Sequence, residues 1–298
     1  WLGDRKIIGY SNQFMQAIDL GLQVKPESRS KSVDEWRKRF RTEFSTRNNR
    51  STKEATEEPA DSFTNSLGMR FVPVPGTNVF FCTCLTRVRD FSNYAQETTS
   101  LTSEWDNPLF AFASRPPLAW WETALRFNNE MKKAAGQPVC PSDLCPVVGV
   151  SWENAVMFCS WLSSVENRKY RLPTDHEWSC AVGIGYLEDS EAPPFSKDAK
   201  MVNVYPWGSA WPPPSGAGNY STLLKVDDFI TTSPVGSFTP NGLGIYDLGG
   251  NVWEWCEDWF EPQTKQHRVT RGGSWIDNRR TDLLSSYRFG LDPRFRHH

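Results

Sequence analysis

The chain has 298 residues, enough for one large domain or two ordinary ones with a substantial buried core. Its 33 Lys and Arg residues nearly balance its 35 Asp and Glu residues, so the formal net charge of -2 supplies no positive field that would attract nucleic acid. Hydrophobic residues make up only 38% of the chain, and no apolar run approaches the roughly 18 to 20 residues that cross a bilayer. We therefore expect no nucleic-acid partner and no membrane span.

The head of the chain, residues 1–40, is predicted to contain two helices. Residues 11–24 carry apolar side chains at the spacing of one helical stripe. Pro26 ends this helix, because proline disfavours the helical conformation of the residue before it. Ser32 and Glu35 then form a capping box, which indicates that a new helix starts there. The head is therefore predicted to be a short helical segment.

Residues 41–61 are predicted to form a polar linker. They contain one large apolar side chain, Phe44, among charged and small polar ones. A segment of this composition cannot bury enough apolar surface to offset the entropy lost on ordering. The linker is expected to join the head to a domain that occupies residues 62–298.

The domain from residue 62 onward has the pattern of an α+β fold. Short β-like runs (MRFVPVP, VFFCTCL, HRVTRGGSW) are separated by Gly, Pro and Asn turn signals. One helix is predicted over SWENAVMFCSWLSSVE with Ser151 as its cap, and a second after RLPTDHEW with Thr174 and Glu177 as a capping box. Residues 105–148 and 186–245 are too long for ordinary connections and too apolar for disorder, so they are predicted to be packed loops.

Seven cysteines are spread through segments that look like core strands and helices. A secreted disulfide scaffold would instead show an even number at high density in a short chain. The pattern favours buried reduced thiols, and with it a cytoplasmic protein.

An ordered set of motifs carries a family resemblance. The stretches NSLGMRFVPVPG, PVVGVSWENAVMFCSWLS, YRLPTDHEWSCAV, YPWG, NGLGIYDLGGNVWEWCEDW, RVTRGGSW and SSYRFG occur in this order. In these stretches the domain resembles the formylglycine-generating-enzyme-like (sulfatase-modifying factor) family. The resemblance implies a variant of the C-type lectin fold with long packed loops.

The head resembles the last two helices of a protein-kinase C-lobe, with Arg29 at the position of that lobe's late structural arginine. This resemblance implies a parent protein in which a kinase domain is covalently fused to the lectin-fold domain. The chain contains no Gly-rich phosphate loop, HRD or DFG motif, so it is not expected to transfer phosphate itself.

The family's oxidases use a copper-binding cysteine pair in the segment just after RGGSW. Here that segment reads IDNRRTDLLSSYRFGLDPRFRHH and contains no cysteine. Counting forward from RGGSW places Asp277 and Asp282 at the positions of the two family cysteines. Counting back from SSYR places the pair at other residues, and these are not cysteines either. Copper(I) prefers thiolates to hard carboxylates. The chain is therefore predicted not to be an enzyme of this type and not to make formylglycine.

The resemblance also implies structural calcium, because the matching family positions hold two ions through carboxylate, amide and carbonyl oxygens. The alternative is that the same residues form Asx turns and a salt bridge that hold the loops. The first predicted set is Asp247, Gly250, Val252 and Glu254, and the second is Asn219, Tyr220, Asp227 and Phe229.

The last 23 residues, 276–298, are called the tail below. They mix aromatic and Arg side chains, which dominate binding hot spots, so we expect a recognition surface for a protein ligand. The predicted contact residues are Ile276, Asp277, Asn278, Arg279, Arg280, Tyr287, Phe289, Leu291, Arg294, Phe295, Arg296 and His297.

The tail lacks Lys, Gln, Glu, Met and Trp, the five amino acids that an NNY codon set cannot encode. Adenine-directed mutagenesis by a diversity-generating retroelement would leave this composition, and the variable proteins of such elements resemble this domain. The alternative is a family C-terminus that lacks those residues by chance.

Together these observations predict a noncatalytic ligand-binding domain with a variable recognition surface. Two alternatives stay open: a pseudo-enzyme module that regulates the fused kinase, and a metal-dependent oxidase or oxygenase with an altered active site.

Overall fold

The structure of the protein is a computed structural model that describes residues 62–97 and 142–295. The chain divides into two units, Trp1–Asp61 and Ser62–His298, and every described residue belongs to the second. The predicted head helices, the predicted linker and most of the loop predicted at 105–148 lie outside the described residues.

The described residues form two three-stranded antiparallel sheets and four α-helices, which confirms the predicted α+β class. In chain order the elements are β1 (Phe63–Thr64), β2 (Arg70–Pro73), β3 (Phe80–Cys82), α1 (Val88–Glu97), α2 (Trp152–Glu166), α3 (Asp175–Val182), a 3-10 turn (Gly185–Leu187), α4 (Pro194–Lys197), β4 (Glu254–Trp259), β5 (Arg268–Arg271) and β6 (Phe289–Leu291). None of the helices in these parts of the chain is long and apolar enough to cross a membrane.

The first sheet has the order β1-β2-β3, and its middle strand β2 is buried on both faces. Successive side chains of a strand point to opposite faces. Phe71 accordingly packs with residues of α1 and α2, whereas Val72 and Val74 pack in a second cluster with Trp178 of α3 and Val269 of β5. This sheet therefore divides the core into two layers.

The second sheet has the order β4-β5-β6, and β6 comes from the tail. Val269 pairs with Gly290 and Thr270 with Phe289, while a register shift between Trp255 and Trp259 interrupts the pairing of β4 with β5. Part of the segment predicted to be a recognition surface is therefore a strand of the domain's own sheet.

Both predicted helix starts are confirmed. The Ser151 side chain accepts from Asn154 N at the start of α2, and the Thr174 side chain accepts from Glu177 N at the start of α3, with the reciprocal bond present in each case.

Removing one of these caps should lower the stability of the protein by a measurable amount. Thr174→Ala should lower the free energy of unfolding by about 1 kcal/mol, because it leaves the Glu177 N–H without its acceptor. Chemical denaturation of the wild type and the variant measures the difference. An unchanged midpoint would show that water replaces the cap without cost.

Helix α1 is not among the predicted elements. Its buried residues Phe91 and Tyr94 lie three positions apart on one face, and Phe91 stacks on Phe158 of α2 with ring centroids 5.6 Å apart. The helix follows a β-like run and is only 10 residues long, so its short apolar period is easily overlooked.

The packed loop predicted at 186–245 is confirmed after residue 197, but its first part was wrong, because it contains the end of the 3-10 turn and the short helix α4. No helix or strand lies between Lys197 and Glu254, yet Tyr205 and Tyr220 are almost fully buried there. These loops pack against the tail residues Leu283 and Leu284 in one hydrophobic cluster.

Candidate recognition surface and calcium sites

The tail begins after β5 at a turn that requires glycine. Gly272 and Gly273 have φ angles of 94° and 76°, a region that side chains rarely adopt. A Cβ atom on Gly273 would also lie 2.8 Å from Leu283 Cδ2. The turn therefore packs the start of the tail against residues further along it.

Asp277, at one position of the family's thiol pair, is held inside the tail. Its Oδ2 accepts from both the N–H and the Oγ of Ser274 at 2.8 Å, and its carbonyl oxygen accepts from Ser221 N at 3.2 Å. Burial, together with the Asp282 carboxylate, raises the pKa of Asp277 to about 6. Asp277 thus fixes the backbone of the tail.

Asp282, at the other position in that register, forms an ion pair with an exposed arginine. Its Oδ2 accepts from Arg279 Nε and lies 2.6 Å from the guanidinium. The Asp282 side chain is 5% exposed and the Arg279 side chain 72% exposed. The pair therefore holds the Nε and Nη2 edge of the Arg279 guanidinium against a buried carboxylate, while most of the arginine side chain stays in solvent.

The middle of the tail is core, which composition did not reveal. Residues 282–286 and Arg288 are buried, and Arg288 and β5 Arg271 are among the largest fully buried side chains of the described residues. The recognition surface predicted over the whole tail is therefore interrupted by a structural stretch.

These two arginines meet the first residue of α3. Asp175 Oδ1 accepts from Arg271 Nη1 and from Arg288 Nε, the latter at 2.8 Å, and Asp175 Oδ2 lies 3.0 Å from Lys197 Nζ. Arg288 Nη2 also donates to Glu188 at 2.6 Å. Three buried cations thus share two buried carboxylates.

The predicted contact residues differ in exposure. Arg279, Arg280 and Arg294 are exposed; Ile276, Asp277, Asn278, Tyr287, Phe289, Leu291 and Phe295 are half-buried; Arg296 and His297 lie outside the described residues. The exposed stretch runs from Arg279 to Thr281.

Two features give this surface a defined shape. Arg280 Nε donates to Tyr205 Oη and Arg280 Nη2 to Asn203 Oδ1, each at 2.9 Å. In addition, Trp253 packs on the tail residues Tyr287 and Phe289, with ring centroids 5.9 and 6.0 Å apart. Trp253 precedes the tail by more than twenty residues and was missing from the predicted set, although the WEW motif contains it.

The described cysteines are free thiols outside the tail. Cys256 is fully buried, as predicted, and burial raises its pKa well above 9.0. Burial also raises the pKa values of Cys82 and Cys159 to about 12. Burial thus disfavours the thiolate, which is the nucleophilic form of cysteine. Cys140 lies outside the described residues.

The first predicted calcium site contains the buried Asp247 and the half-buried Glu254, and each has a buried carboxylate oxygen without a hydrogen-bond partner among the described residues. Asp247 Oδ2 accepts from Gly236 N at 2.9 Å. Asp247 Oδ1 and Glu254 Oε1 make no hydrogen bond of ordinary geometry to any described residue, although the Trp178 indole approaches Glu254. Burial raises the pKa of Asp247 to about 6 and that of Glu254 to about 8.

The two predicted carbonyl ligands complete an oxygen set of the kind calcium takes. Within the described parts of the chain, neither the Gly250 nor the Val252 carbonyl accepts a backbone hydrogen bond. Buried unpaired carboxylates are costly unless a proton or a cation neutralises them. The donor chemistry at Asp247 and Glu254 therefore fits a calcium ion.

The loops that carry the two predicted calcium sites lie in close contact with each other. Gly250 has a φ of 80°, and a Cβ atom there would lie 2.3 Å from the Asn219 carbonyl oxygen. Asn219 is fully buried, and its Oδ1 has no hydrogen-bond partner among the described residues. Only a glycine allows the two loops to approach this closely.

Asp227 in the second site also satisfies the Asx-turn alternative. Its two oxygens accept from Phe229 N and Tyr220 N, each at 2.9 Å, and the first of these bonds closes an Asx turn. Burial raises the pKa of Asp227. No group of three or more His, Cys, Asp or Glu side chains gathers around a common point in the described residues. A calcium ion at either site would depend on carbonyl and amide oxygens as well.

Comparison with known proteins identifies the domain type. Residues 81–296 match the model of the family described as "Sulfatase-modifying factor enzyme 1-like domain". The chain is 34% identical over 167 residues to "Inactive C-alpha-formylglycine-generating enzyme 2" of Mus musculus, which covers 54% of this chain and 48% of that protein. It is 30% identical over 185 residues to "Formylglycine-generating enzyme" of Thermomonospora curvata, with 54% of each covered.

Two further matches come from bacteria. "Serine/threonine-protein kinase pkn1" of Chlamydia pneumoniae is 31% identical over 166 residues, covering 50% of this chain and 22% of that protein. The solved structure "Treponema denticola variable protein 1" superposes with a TM-score of 0.47 at 16% identity, covering 80% of this chain and 96% of that one. The chain spans about half the length of the mouse and Thermomonospora relatives.

Proposed function

The chain belongs to the family of sulfatase-modifying factor enzyme 1-like domains, and from this premise we propose that it is a noncatalytic domain that binds a protein ligand. The observation that carries the proposal is the segment after Trp275, where two fixed carboxylates, Asp277 and Asp282, stand beside an exposed arginine loop. That arrangement suits binding better than thiol oxidation.

The absence of sulfur counts against oxidase chemistry in this segment. Asp277 uses one oxygen for two bonds to Ser274, and Asp282 is paired with Arg279. Carboxylates are hard ligands, whereas copper(I) binds thiolates and thioethers. With two carboxylates in place of the two thiols, this segment lacks the copper ligands that the family's oxidases use.

The arginine loop has the properties of a binding hot spot. Hydrogen bonds fix the guanidinium groups of Arg279 and Arg280 while both residues remain exposed, so part of the side-chain entropy cost of binding is already met. Tyr287 and Phe289 add half-buried aromatic area beside Trp253. Arg and aromatic side chains contribute most to protein interfaces.

The test compares affinity capture by the intact chain and by a variant of this loop. Arg279→Ala, Arg280→Ala and Tyr287→Ala combined should lose the captured protein, since hot-spot residues contribute at least about 2 kcal/mol each. The control is Arg89→Ala, an exposed arginine on α1 that should leave capture unchanged. Equal capture by all three proteins would place the binding surface elsewhere.

A chemical assay tests the noncatalytic half of the proposal. The mass of a Cys-x-Pro-x-Arg peptide should stay unchanged after incubation with the protein, copper(I) and oxygen. Conversion of its cysteine to an aldehyde would establish catalysis.

The tail could also be diversified, but only at its exposed positions. Its residues fall within the set that an NNY codon pattern encodes. Substitution at Arg279 and Arg280 would change the surface, whereas substitution at Leu283 or Arg288 would damage the core. A template repeat and a reverse-transcriptase gene beside the coding sequence would support a diversity-generating retroelement, and their absence would favour chance composition.

A second candidate function is regulation of a fused kinase. The similarity to a protein named as a serine/threonine kinase and the kinase-like head both favour it. Deleting residues 62–298 from the parent protein should then change its kinase activity. Unchanged activity would reject this function without affecting the ligand-binding proposal.

A further inference from the structure

We propose that a cavity between the first sheet and α2 binds a long-chain carboxylate, with the alkyl chain inside and the carboxylate beside Arg168 and Lys169. The cavity has a volume of about 530 Å³, which lies within the roughly 300 to 1,000 Å³ of small-molecule sites. None of the described residues that line it belongs to the tail. It is therefore a separate site from the proposed protein-binding surface.

The walls of the cavity are mostly apolar. They are formed by β2, β3, α2 and β4, and include Phe71, Phe81, Ala155, Phe158, Leu162 and Trp255. Apolar walls offer water few hydrogen-bond partners, whereas an alkyl chain would make dispersion contacts along them.

Two cations mark the opening. Arg168 and Lys169 line the cavity and are exposed, so they stand where it meets solvent. Neither forms a salt bridge with a described residue, and Arg168 instead lies over the Phe63 ring at 4.0 Å. These charges are available to a ligand anion.

The acidic groups near the opening are already engaged. Glu177 accepts two bonds from Arg171, at 2.7 and 2.6 Å. Glu166 accepts from the Ser66 N–H at 2.8 Å and from Tyr170 Oη. Glu254 also lines the cavity and is one of the predicted ligands of the first calcium site. Arg171 neutralises Glu177, and Arg168 and Lys169 outnumber the one remaining acid at this opening, Glu166, so the opening favours an anionic head group over a cationic one.

The probe is dodecanoate, titrated calorimetrically into the full chain below its micelle concentration. Saturable binding is expected, about tenfold tighter than that of decanoate because two more CH₂ groups are buried. Dodecanol should bind more weakly than dodecanoate. No saturable binding of dodecanoate, or equal affinity for dodecanol, would overturn the proposal.

One double variant tests the binding of the carboxylate head group, and two single variants test the binding of the alkyl chain. Arg168→Gln with Lys169→Gln should weaken dodecanoate about fivefold and leave dodecanol unchanged, as expected for two exposed ion pairs. Ala155→Trp, which fills the cavity, should abolish binding, whereas Met157→Trp on the exposed side of α2 should preserve it. The glutamine variants change only exposed side chains, so their result does not depend on repacking the core. Unchanged dodecanoate affinity in either the glutamine or the Ala155 variant would contradict the assignment.

Discussion

Replacing Asp175 by Asn should lower the free energy of unfolding by about 3 to 5 kcal/mol, the range for breaking a buried ion pair from one side. The substitution preserves the shape of the side chain and removes its charge. Arg288 and Lys197 would then keep only the carboxylate of Glu188, and Arg271 would lose the one carboxylate with which it forms an ion pair among the described residues. Denaturant unfolding at neutral pH measures the loss.

The matched control is Asp292→Asn, in which the ion pair with Arg294 is exposed. It should cost less than about 1 kcal/mol, because solvent screens such pairs. An Asp175→Asn protein that is as stable as this control would show that water enters the buried network.

The same network predicts the direction of the pH dependence. Burial alone would raise the pKa of Asp175, but Arg271 and Arg288 together hold it well below its ordinary value of 3.8. A depressed folded-state pKa stabilises the fold above the unfolded-state pKa and loses this effect as pH falls below it. The difference between wild type and Asp175→Asn should therefore be constant above about pH 4 and shrink in more acidic solution.

Calcium should raise the thermal midpoint of the protein. At a free concentration about 100 times its Kd, one bound ion adds about 2.7 kcal/mol to the free energy of unfolding. The Glu254→Gln variant should lose this response, because it removes one of the two carboxylates at the first site.

Acid should weaken the response in the wild type, since protons compete with calcium for carboxylates. Differential scanning calorimetry with and without chelator measures each effect.

The calcium-free proteins distinguish the two interpretations of the first site. If Glu254 is an unpaired ligand, Glu254→Gln removes a buried charge and should stabilise the chelated protein at about pH 9, where the carboxyl is ionised. If Glu254 holds the loops by a salt bridge, the same change should destabilise it. Asp228→Asn, an exposed acid beside Asp227, should leave the calcium response intact.

The parts of this fold that sequence predicts well are those set by local chemistry. Thr174 and Glu177 lie three residues apart and complete each other's hydrogen bonds, so their capping box could be recognised without tertiary information. Gly183, which ends α3 with a φ of 95°, acts just as locally. Local rules therefore located α2 and α3.

The charge network could not be predicted in the same way. Asp175 is 96 residues from Arg271 and 113 from Arg288. Nothing in the spacing of these residues shows that they meet, and a charged residue in a sequence is usually exposed. The motifs RGGSW and SSYRFG each contain one arginine, but nothing in either motif shows that the arginine is buried.

The tail shows why composition alone overestimates a surface. Arg and aromatic residues suggested recognition throughout, but the chain alternates between exposed turns and buried anchors. Arg279 and Arg280 are exposed, whereas Leu283 and Arg288 are buried only a few residues later. Burial of the tail depends on β5, α3 and the loops, which no property of the tail itself reveals.

The loop of Arg279, Arg280 and Thr281 is anchored at both ends, by buried Trp275 before it and by buried Leu283 after it. Lengthening a closed loop costs little, about 0.6 kcal/mol for each doubling. New peptide sequence inserted at Arg280 would therefore leave both anchors in place. The domain offers a natural graft point, at which foreign epitopes could be displayed without redesigning the scaffold.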